Sequence, residues 1–359
     1  MVEADEIKYM QRAIELASLA EGLTRPNPMV GAVIVHKDFI IGEGYHRIAG
    51  APHAEAIAVA SVKESSVFSE SVLYVNLEPC SHFGKTPPCA ELILKAGIPK
   101  VVIGTKDTSL KVSGRGIDIL KQGGCEVRTG VLEDECRHLN RRFFTSNERG
   151  RPYILLKWAE SKDGFIDINR AAPADGPNWI TGRDEQIFVH KWRAEEQSIL
   201  VGANTARIDD PSLNVRFWDG PDPLRIVLSR SGKLPARLKL LSDKAPTVVY
   251  SMAGKPKGIN VEYIGVSSWE NALDELLNDL HTRGIQSVMV EGGAMVLNQF
   301  IERNLWDEAR VFKGNRNFRE GLRSPRINGI IFETNEFGGT VLTCWFNESN
   351  KKNNFVKKM

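Results

Sequence analysis

Residues 72–89 read VLYVNLEPCSHFGKTPPC, and upstream of them residues 52–60 read PHAEAIAVA. The first stretch begins as an apolar, β-branched run and stops at Pro79-Cys80; a loop rich in glycine and proline then carries the chain to Cys89, at the start of a helix predicted over 88–96. The second stretch places His53 and Glu55 at the start of another predicted helix. A helix N-terminus stabilises negative charge, so a cysteine there is favoured as the thiolate, the form that binds zinc. One imidazole and two thiolates leave the fourth corner of a tetrahedral zinc for water, whose pKa the metal lowers toward about 7. Glu55, two residues from His53, is the natural group to move the proton of that water. The bland alternative makes Cys80 and Cys89 packing residues and His53 a surface histidine.

An HxE followed by a Pro-Cys and a second cysteine is the signature of nucleobase deaminases, in which the glutamate does not bind the metal. Working outward, apolar residues at helical spacing from 5 to 21 end at TRPNP. The strands MVGAVIV, VLYVNL and KVVIGT then alternate with helices over 53–64, 88–96 and 116–122. Such alternation predicts an α/β fold with helices on the faces of one sheet. The polar, basic NRRFFTSNERGRP at 140–152 is read as a linker. A second alternation follows it: YILLKW, a helix around 183–196, SILVG, LRIVLS, TVVYSM, a helix around 270–282, and SVMVEGG opening a further helix. The expected organisation is a first domain over 1–147, a second α/β domain over 151–350, and a disordered tail over 351–359. The pair Gly42 and Gly44 lacks the third glycine and following helix of a dinucleotide motif and is discarded as one.

The chain has 359 residues, 42% of them hydrophobic, with 47 Lys and Arg against 45 Asp and Glu. That length suits about two domains. The near-neutral balance argues against a nucleic-acid partner and for a small charged substrate. The segment MVEADEIKYMQRAIELA contains no long apolar run, so neither a signal peptide nor a membrane span is expected, and a cytoplasmic location is. Five cysteines are an odd number for a disulfide framework; Cys125, Cys136 and Cys344 read as small buried hydrophobes.

The motifs RPNPMVGAVIV, GEGYH, PHAE, LEPCSHFGKTPPC and VSGRGI together resemble the bifunctional riboflavin-biosynthesis deaminase/reductase family across the whole N-terminal domain. Cytidine, tRNA-adenosine and DNA-editing deaminases carry PCxxC, whereas SHFGKTPP separates the two cysteines here. The resemblance implies a cytidine-deaminase-like three-layer α/β/α domain with one zinc ion, in which Asn27, His46, His82, Lys85 and Asp107 line the pocket for pyrimidine and ribose. Where the family usually continues Asp107 with Pro-Asn, this chain has Thr108-Ser109.

RPYILLKWAESKDG, NWIT, WRAE, ILVGANTARIDDPSLNVR and VMVEGG resemble the family's second domain, which is similar to dihydrofolate reductase and uses NADPH. On that resemblance Trp179, Thr205 and Asp209 contact cofactor, Gly292 and Gly293 cradle its phosphates, and Arg193, Leu213, Arg216 and Glu291 hold substrate. Lys157, in an apolar strand, needs a partner or a ligand and is placed near the substrate. The segment FKGNRNFREGLRSP departs from the family, so no cofactor contacts carry over to it. Arg230, where many members have aspartate nearby, is a candidate for the 2′-phosphate of NADPH.

The expected reactions are attack of zinc hydroxide on the amino-bearing carbon of 2,5-diamino-6-ribosylamino-4-pyrimidinone 5′-phosphate, releasing ammonia, and then hydride delivery that turns ribosyl into ribityl. The alternatives are a nucleic-acid base deaminase, disfavoured by charge and by the cysteine spacing, and a deaminase with an inactive or altered reductase domain. A homo-oligomer is compatible with the sequence, which does not fix the stoichiometry.

Overall fold

The computed structural model describes residues 4–81, 87–109, 113–169, 178–242, 245–253 and 260–349. The chain divides between Arg149 and Gly150 into two compact units, each with its own sheet and core. The expected tail over 351–359 lies outside the described residues.

The first unit runs α1 (Ala4–Ser18), β1 (Gly31–His36), β2 (Phe39–Tyr45), α2 (Ala54–Ser61), β3 (Ser71–Leu77), α3 (Cys89–Ala96), β4 (Lys100–Thr105), α4 (Arg115–Gln122), β5 (Glu126–Thr129), α5 (Glu133–Leu139) and α6 (Arg141–Arg149). Its sheet has the order β2-β1-β3-β4-β5. β1 is antiparallel to both β2 and β3, whereas β3, β4 and β5 are parallel. Alternate strand residues feed two cores. Ile34, Leu73, Val75, Val101 and Ile103 pack on Ala54, Ala58, Ile93 and Leu120 of α2, α3 and α4. Val33, Val35, Tyr74 and Val102 face Met10, Ala13 and Leu16 of α1 and Cys136 of α5. Two buried faces explain why these strands read as continuous apolar runs.

Two readings need correction here. The stretch 140–152 is no linker for most of its length: Arg141 to Ser146 are buried in α6, because Phe143 and Phe144 anchor the helix and Arg142 reaches Glu21 at 3.3 Å. Gly42 and Gly44, rightly set aside as a nucleotide motif, form an unforeseen strand, β2, on which α2 packs closely.

The second unit comprises β6 (Tyr153–Glu160), β7 (Phe165–Asp167), α7 (Arg183–Glu195), β8 (Ser198–Gly202), α8 (Ala203–Asp209), β9 (Leu224–Leu228), α9 (Lys239–Ser242), β10 (Thr247–Ser251) and β11 (Val261–Gly265). After these come α10 (Ala272–Thr282), β12 (Ser287–Val290), α11 (Ala294–Glu302), β13 (Glu308–Lys313), β14 (Leu322–Arg323), β15 (Ile330–Phe337) and β16 (Thr340–Phe346). Nine strands form one sheet in the order β11-β10-β9-β8-β12-β6-β13-β16-β15. It is parallel from β11 through β13 and antiparallel where β16 and β15 extend it. Helices α10 and α11 cover one face, and α7 and α8 the other. No helix among the described residues is long and apolar enough to cross a membrane.

Candidate functional site

In the first unit the chemistry gathers where the parallel strands end. His53 is the N-cap of α2, Cys89 is the first residue of α3, and Cys80 follows the end of β3. His53 Nδ1 lies 3.3 Å from Cys89 Sγ and 3.5 Å from Cys80 Sγ, and the three ligand atoms all fall within 4.8 Å of one another. Ligand atoms around a tetrahedral zinc at ~2.0–2.3 Å stand about 3.5 Å apart, so this donor set fits that ion.

The backbone N–H of Cys89 donates to Cys80 Sγ at 3.3 Å. Hydrogen bonding from Cys89 and His53 holds the Cys80 thiol down to about 4, and the same contact pushes Cys89 up. A divalent cation bound by both sulfurs as thiolates would displace their protons. All five cysteines are free thiols, and Cys125, Cys136 and Cys344 are buried away from this cluster.

Glu55, on the first turn of α2, is 3% exposed. Burial, reinforced by the charge of Cys80, pushes it up to about 7, and it lies against Cys89. A carboxyl poised near neutrality beside a metal site can both take and return a proton.

Asn27 Nδ2 donates to His46 Nε2 at 3.1 Å, and His46 Nδ1 donates to Pro52 O at 3.1 Å. The rings of His46 and His53 meet edge to face at 5.5 Å. His46 therefore engages both of its nitrogens with protein and steadies the backbone next to a metal-ligand candidate. Burial lowers its pKa, which keeps it neutral and able to accept. Asp107 is buried beyond the end of β4 and accepts from Ser109 N at 2.6 Å. His82 and Lys85 lie outside the described residues.

The second unit holds a cavity of about 390 Å³ lined by Lys157, Trp179, Thr205, Asp209, Leu213, Arg193, Arg216 and Glu291. Eight candidates from distant parts of the sequence thus share one cavity. Arg193 Nε and Nη2 donate to the two oxygens of Glu291, each at 2.8 Å. Although burial opposes it, Arg193 and then Lys157 hold the Glu291 carboxyl down to about 2. Lys157 is half-buried by surface area but its amine stands deep enough that burial lowers its pKa, with Glu291 opposing. Asp210 and Leu213 both adopt left-handed backbone, φ 39° and 51°, which is costly for non-glycine residues and tends to be retained where function needs it.

Gly292 and Gly293 join β12 to α11, but Gly293 N–H already donates to Thr205 Oγ1 at 2.9 Å. Among the described residues the amides of Gly292, Ala294 and Met295 at this helix start make no protein hydrogen bond. Gly292 and Gly293 follow Glu291 but do not line the cavity; Lys157, Arg216 and Lys239 around it are cationic donors that suit the phosphates of a nicotinamide dinucleotide. Arg230 is exposed after β9 and does not line the cavity.

Sequence reasoning missed His190 and Phe217. His190 Nδ1 accepts from Arg216 N at 2.9 Å, and burial, with Arg193 and Arg216 nearby, pushes it down to about 4. Gln186, Val189, His190 and Arg193 line the cavity from one face of α7, and their i, i+3, i+4 spacing was the available signal.

Comparison with known proteins finds a family model in each unit. Residues 3–105 match the family model of the cytidine and deoxycytidylate deaminase zinc-binding region, and residues 152–314 match that of the RibD C-terminal domain. The riboflavin biosynthesis protein RibD of Aquifex aeolicus is 39% identical over 331 residues, covering 90% of each chain. The protein of the same name from Bacillus amyloliquefaciens is 40% identical over 85% of this chain and 83% of its own. Among solved structures, a diaminohydroxyphosphoribosylaminopyrimidine deaminase/5-amino-6-(5-phosphoribosylamino)uracil reductase from Thermotoga maritima superposes with TM-score 0.84 at 34% identity. It covers 96% of this chain and 99% of that one. RibD of Acinetobacter baumannii also gives 0.84, at 32% identity, over 95% of this chain and 98% of its own.

Proposed function

Because this chain belongs to the family of the riboflavin biosynthesis protein RibD, which joins a zinc deaminase to an NADPH-dependent reductase, we propose a division of labour among its residues. The chain is a bifunctional deaminase and reductase of riboflavin biosynthesis that acts on a phosphorylated pyrimidine. Its first substrate, on our reading, is 2,5-diamino-6-ribosylamino-4(3H)-pyrimidinone 5′-phosphate, and its second is the deaminated product of the first reaction.

His53, Cys80 and Cys89 are assigned as the zinc ligands; the single observation that carries this is the convergence of their ligand atoms within 4.8 Å beside buried Glu55. When bound, zinc supplies a coordinated water acidified toward neutrality. Glu55 would take one proton from the attacking water and pass it to the ring nitrogen, then take the proton of the hydroxyl so added and pass it to the amino group, which leaves as ammonia as the carbonyl forms. Asn27 and His46 fix the wall next to His53, while Asp107 binds substrate from the neighbouring strand end; His82 and Lys85 are assigned to the same pocket on sequence alone.

In the second unit Arg193, Arg216, Leu213 and Lys157 hold the substrate with Glu291, the two guanidinium groups suiting a ribose phosphate. NADPH, when bound, supplies the hydride. Trp179, Thr205 and Asp209, which line the cavity, and Gly292 and Gly293 beside it are assigned to hold it. Lys157, with a pKa lowered by burial, is the group able to give a proton to the ribose oxygen as the ring opens. A cytosolic setting, where thiols stay reduced, suits the five free cysteines.

The test is ammonia release and NADPH oxidation by the purified chain and by Glu55→Gln. The variant is expected to lose deamination by 10²-fold or more, on the order of a general acid–base contribution. It should still reduce the deaminated substrate at the wild-type rate. Undiminished ammonia release from Glu55→Gln would sink the proton-transfer assignment.

A further inference from the structure

Glu78 takes no part in the chemistry assigned above, yet its carboxylate is one of the most engaged groups of the first unit. It stands between β3 and Pro79-Cys80 and is 4% exposed. Its Oε2 accepts from the backbone N–H of Asp107 at 3.2 Å and of Gly114 at 3.0 Å. Its Oε1 accepts from Gly116 N at 3.0 Å and Ile117 N at 3.3 Å. Four backbone donors converge on one buried carboxylate. Two of them belong to the first turn of α4, whose own N-cap, Gly114, offers no side-chain cap. Glu78 thus caps a helix from another strand, filling the role usually taken by a local Ser, Thr or Asp.

The backbone repeats the connection, since Glu78 N donates to Thr105 O at 3.0 Å, at the end of β4. Packing leaves no slack around it: a Cβ on Gly116 would sit 2.0 Å from Pro79 O, so only glycine brings the start of α4 this close to the arm that carries Cys80. Both oxygens being occupied, Glu78 is no metal ligand. What it does is bind the amide of Asp107 to the same short arm.

We propose that Glu78 is a positioning residue of the deaminase site, which sets the Asp107 carboxylate at the substrate pocket by binding the Asp107 amide and the start of α4 to the Pro79-Cys80 arm. The proposal rests on the reading of Asp107 as a substrate-binding residue. A carboxylate is required because it presents two acceptor oxygens; the carboxamide of glutamine has the same shape but turns an NH₂ toward two N–H donors. Glu78→Gln therefore changes hydrogen bonding with little change of volume.

The experiment compares Glu78→Gln, Asp107→Ala, the double variant and Glu78→Asp, measuring deaminase kcat and KM, zinc per chain and NADPH-dependent reduction. Glu78→Gln is expected to keep its zinc and its reductase rate and to raise the deaminase KM about tenfold, the size of one charge-assisted hydrogen bond, with kcat changing less. In the Asp107→Ala background it should add no more than about twofold, because both changes remove one interaction. Glu78→Asp, which keeps the charge on a shorter arm, should raise KM by an intermediate factor. Full multiplication of the two single effects, or loss of zinc in step with activity, would overturn the proposal in favour of simple support of Cys80. A wild-type KM in Asp107→Ala would remove the reading of Asp107, and the proposal with it. Should Glu78→Gln fail to fold, Glu78→Asp decides: a wild-type KM there overturns the proposal.

Discussion

Glu55 is a carboxyl on the first turn of a helix, 3% exposed, with burial and the neighbouring Cys80 pushing it up to about 7. Its work begins with accepting a proton, so only the ionised form starts the reaction. Below about pH 7 it is protonated and cannot accept; above, it can. The kcat/KM of deamination is therefore expected to rise as pH increases through about 7, on a limb that Glu55→Gln lacks. A wild-type profile flat between about pH 6 and 8 would contradict this assignment. At this scale the sequence was most informative where chemistry imposes residue type. His53, Glu55, Cys80 and Cys89 announced themselves by identity and spacing, and the structure brings the three ligands together. Glu78 did not announce itself. Its partners are four backbone amides, which no residue letter encodes.

At the scale of elements, the cavity of the second unit depends on α7 and the end of β12 being pinned to each other by Arg193 and Glu291, two nearly buried side chains joined bidentately. Removing one partner strands the other. Arg193→Ala is expected to destabilise the second unit by about 3 kcal/mol, with part recovered in Arg193→Ala/Glu291→Gln, as read from chemical denaturation. An unchanged midpoint in the single variant would show that the pair carries no stability. Glu291 is held down to about 2, below the usual ~4.3, so its contribution is complete above about pH 4 and is lost as pH falls toward 2.

Elements were legible where the pattern was clean, as in the parallel strands of both sheets. The C-terminal pair β15 and β16 was not foreseen, although TVLTCWF alternates buried and half-buried residues at period two. Gly338 and Gly339, with φ of 53° and 88°, supply the turn that joins the pair. Expecting only β–α alternation hid a hairpin. In α6 the misleading signal was polarity: Arg141 and Arg142 are buried, Arg142 paired with Glu21, and Arg137 of α5 stacks over Phe144 at 4.4 Å, which composition alone cannot register.

On the scale of the whole molecule, two units with separate cores carry two chemistries, one held by two cysteines and an imidazole, the other by a cavity lined with cations and the carboxylates of Asp209, Asp210 and Glu291. The fold class of each was legible because strands buried on both faces write themselves as apolar runs between helices. In the second unit the convergence of Arg193 and Glu291 was legible only through resemblance, since they are far apart in sequence and meet only in the folded unit, whereas Lys157 was legible as a lysine in an apolar strand. The zinc site is the centre of the first unit's chemistry, and zinc content measures it directly in the wild type and in Cys80→Ser/Cys89→Ser. The wild type is expected to hold about one zinc per chain and the double variant almost none. The double variant should also release no ammonia and still oxidise NADPH when given the deaminated substrate. A double variant that retains zinc at the wild-type stoichiometry would contradict it.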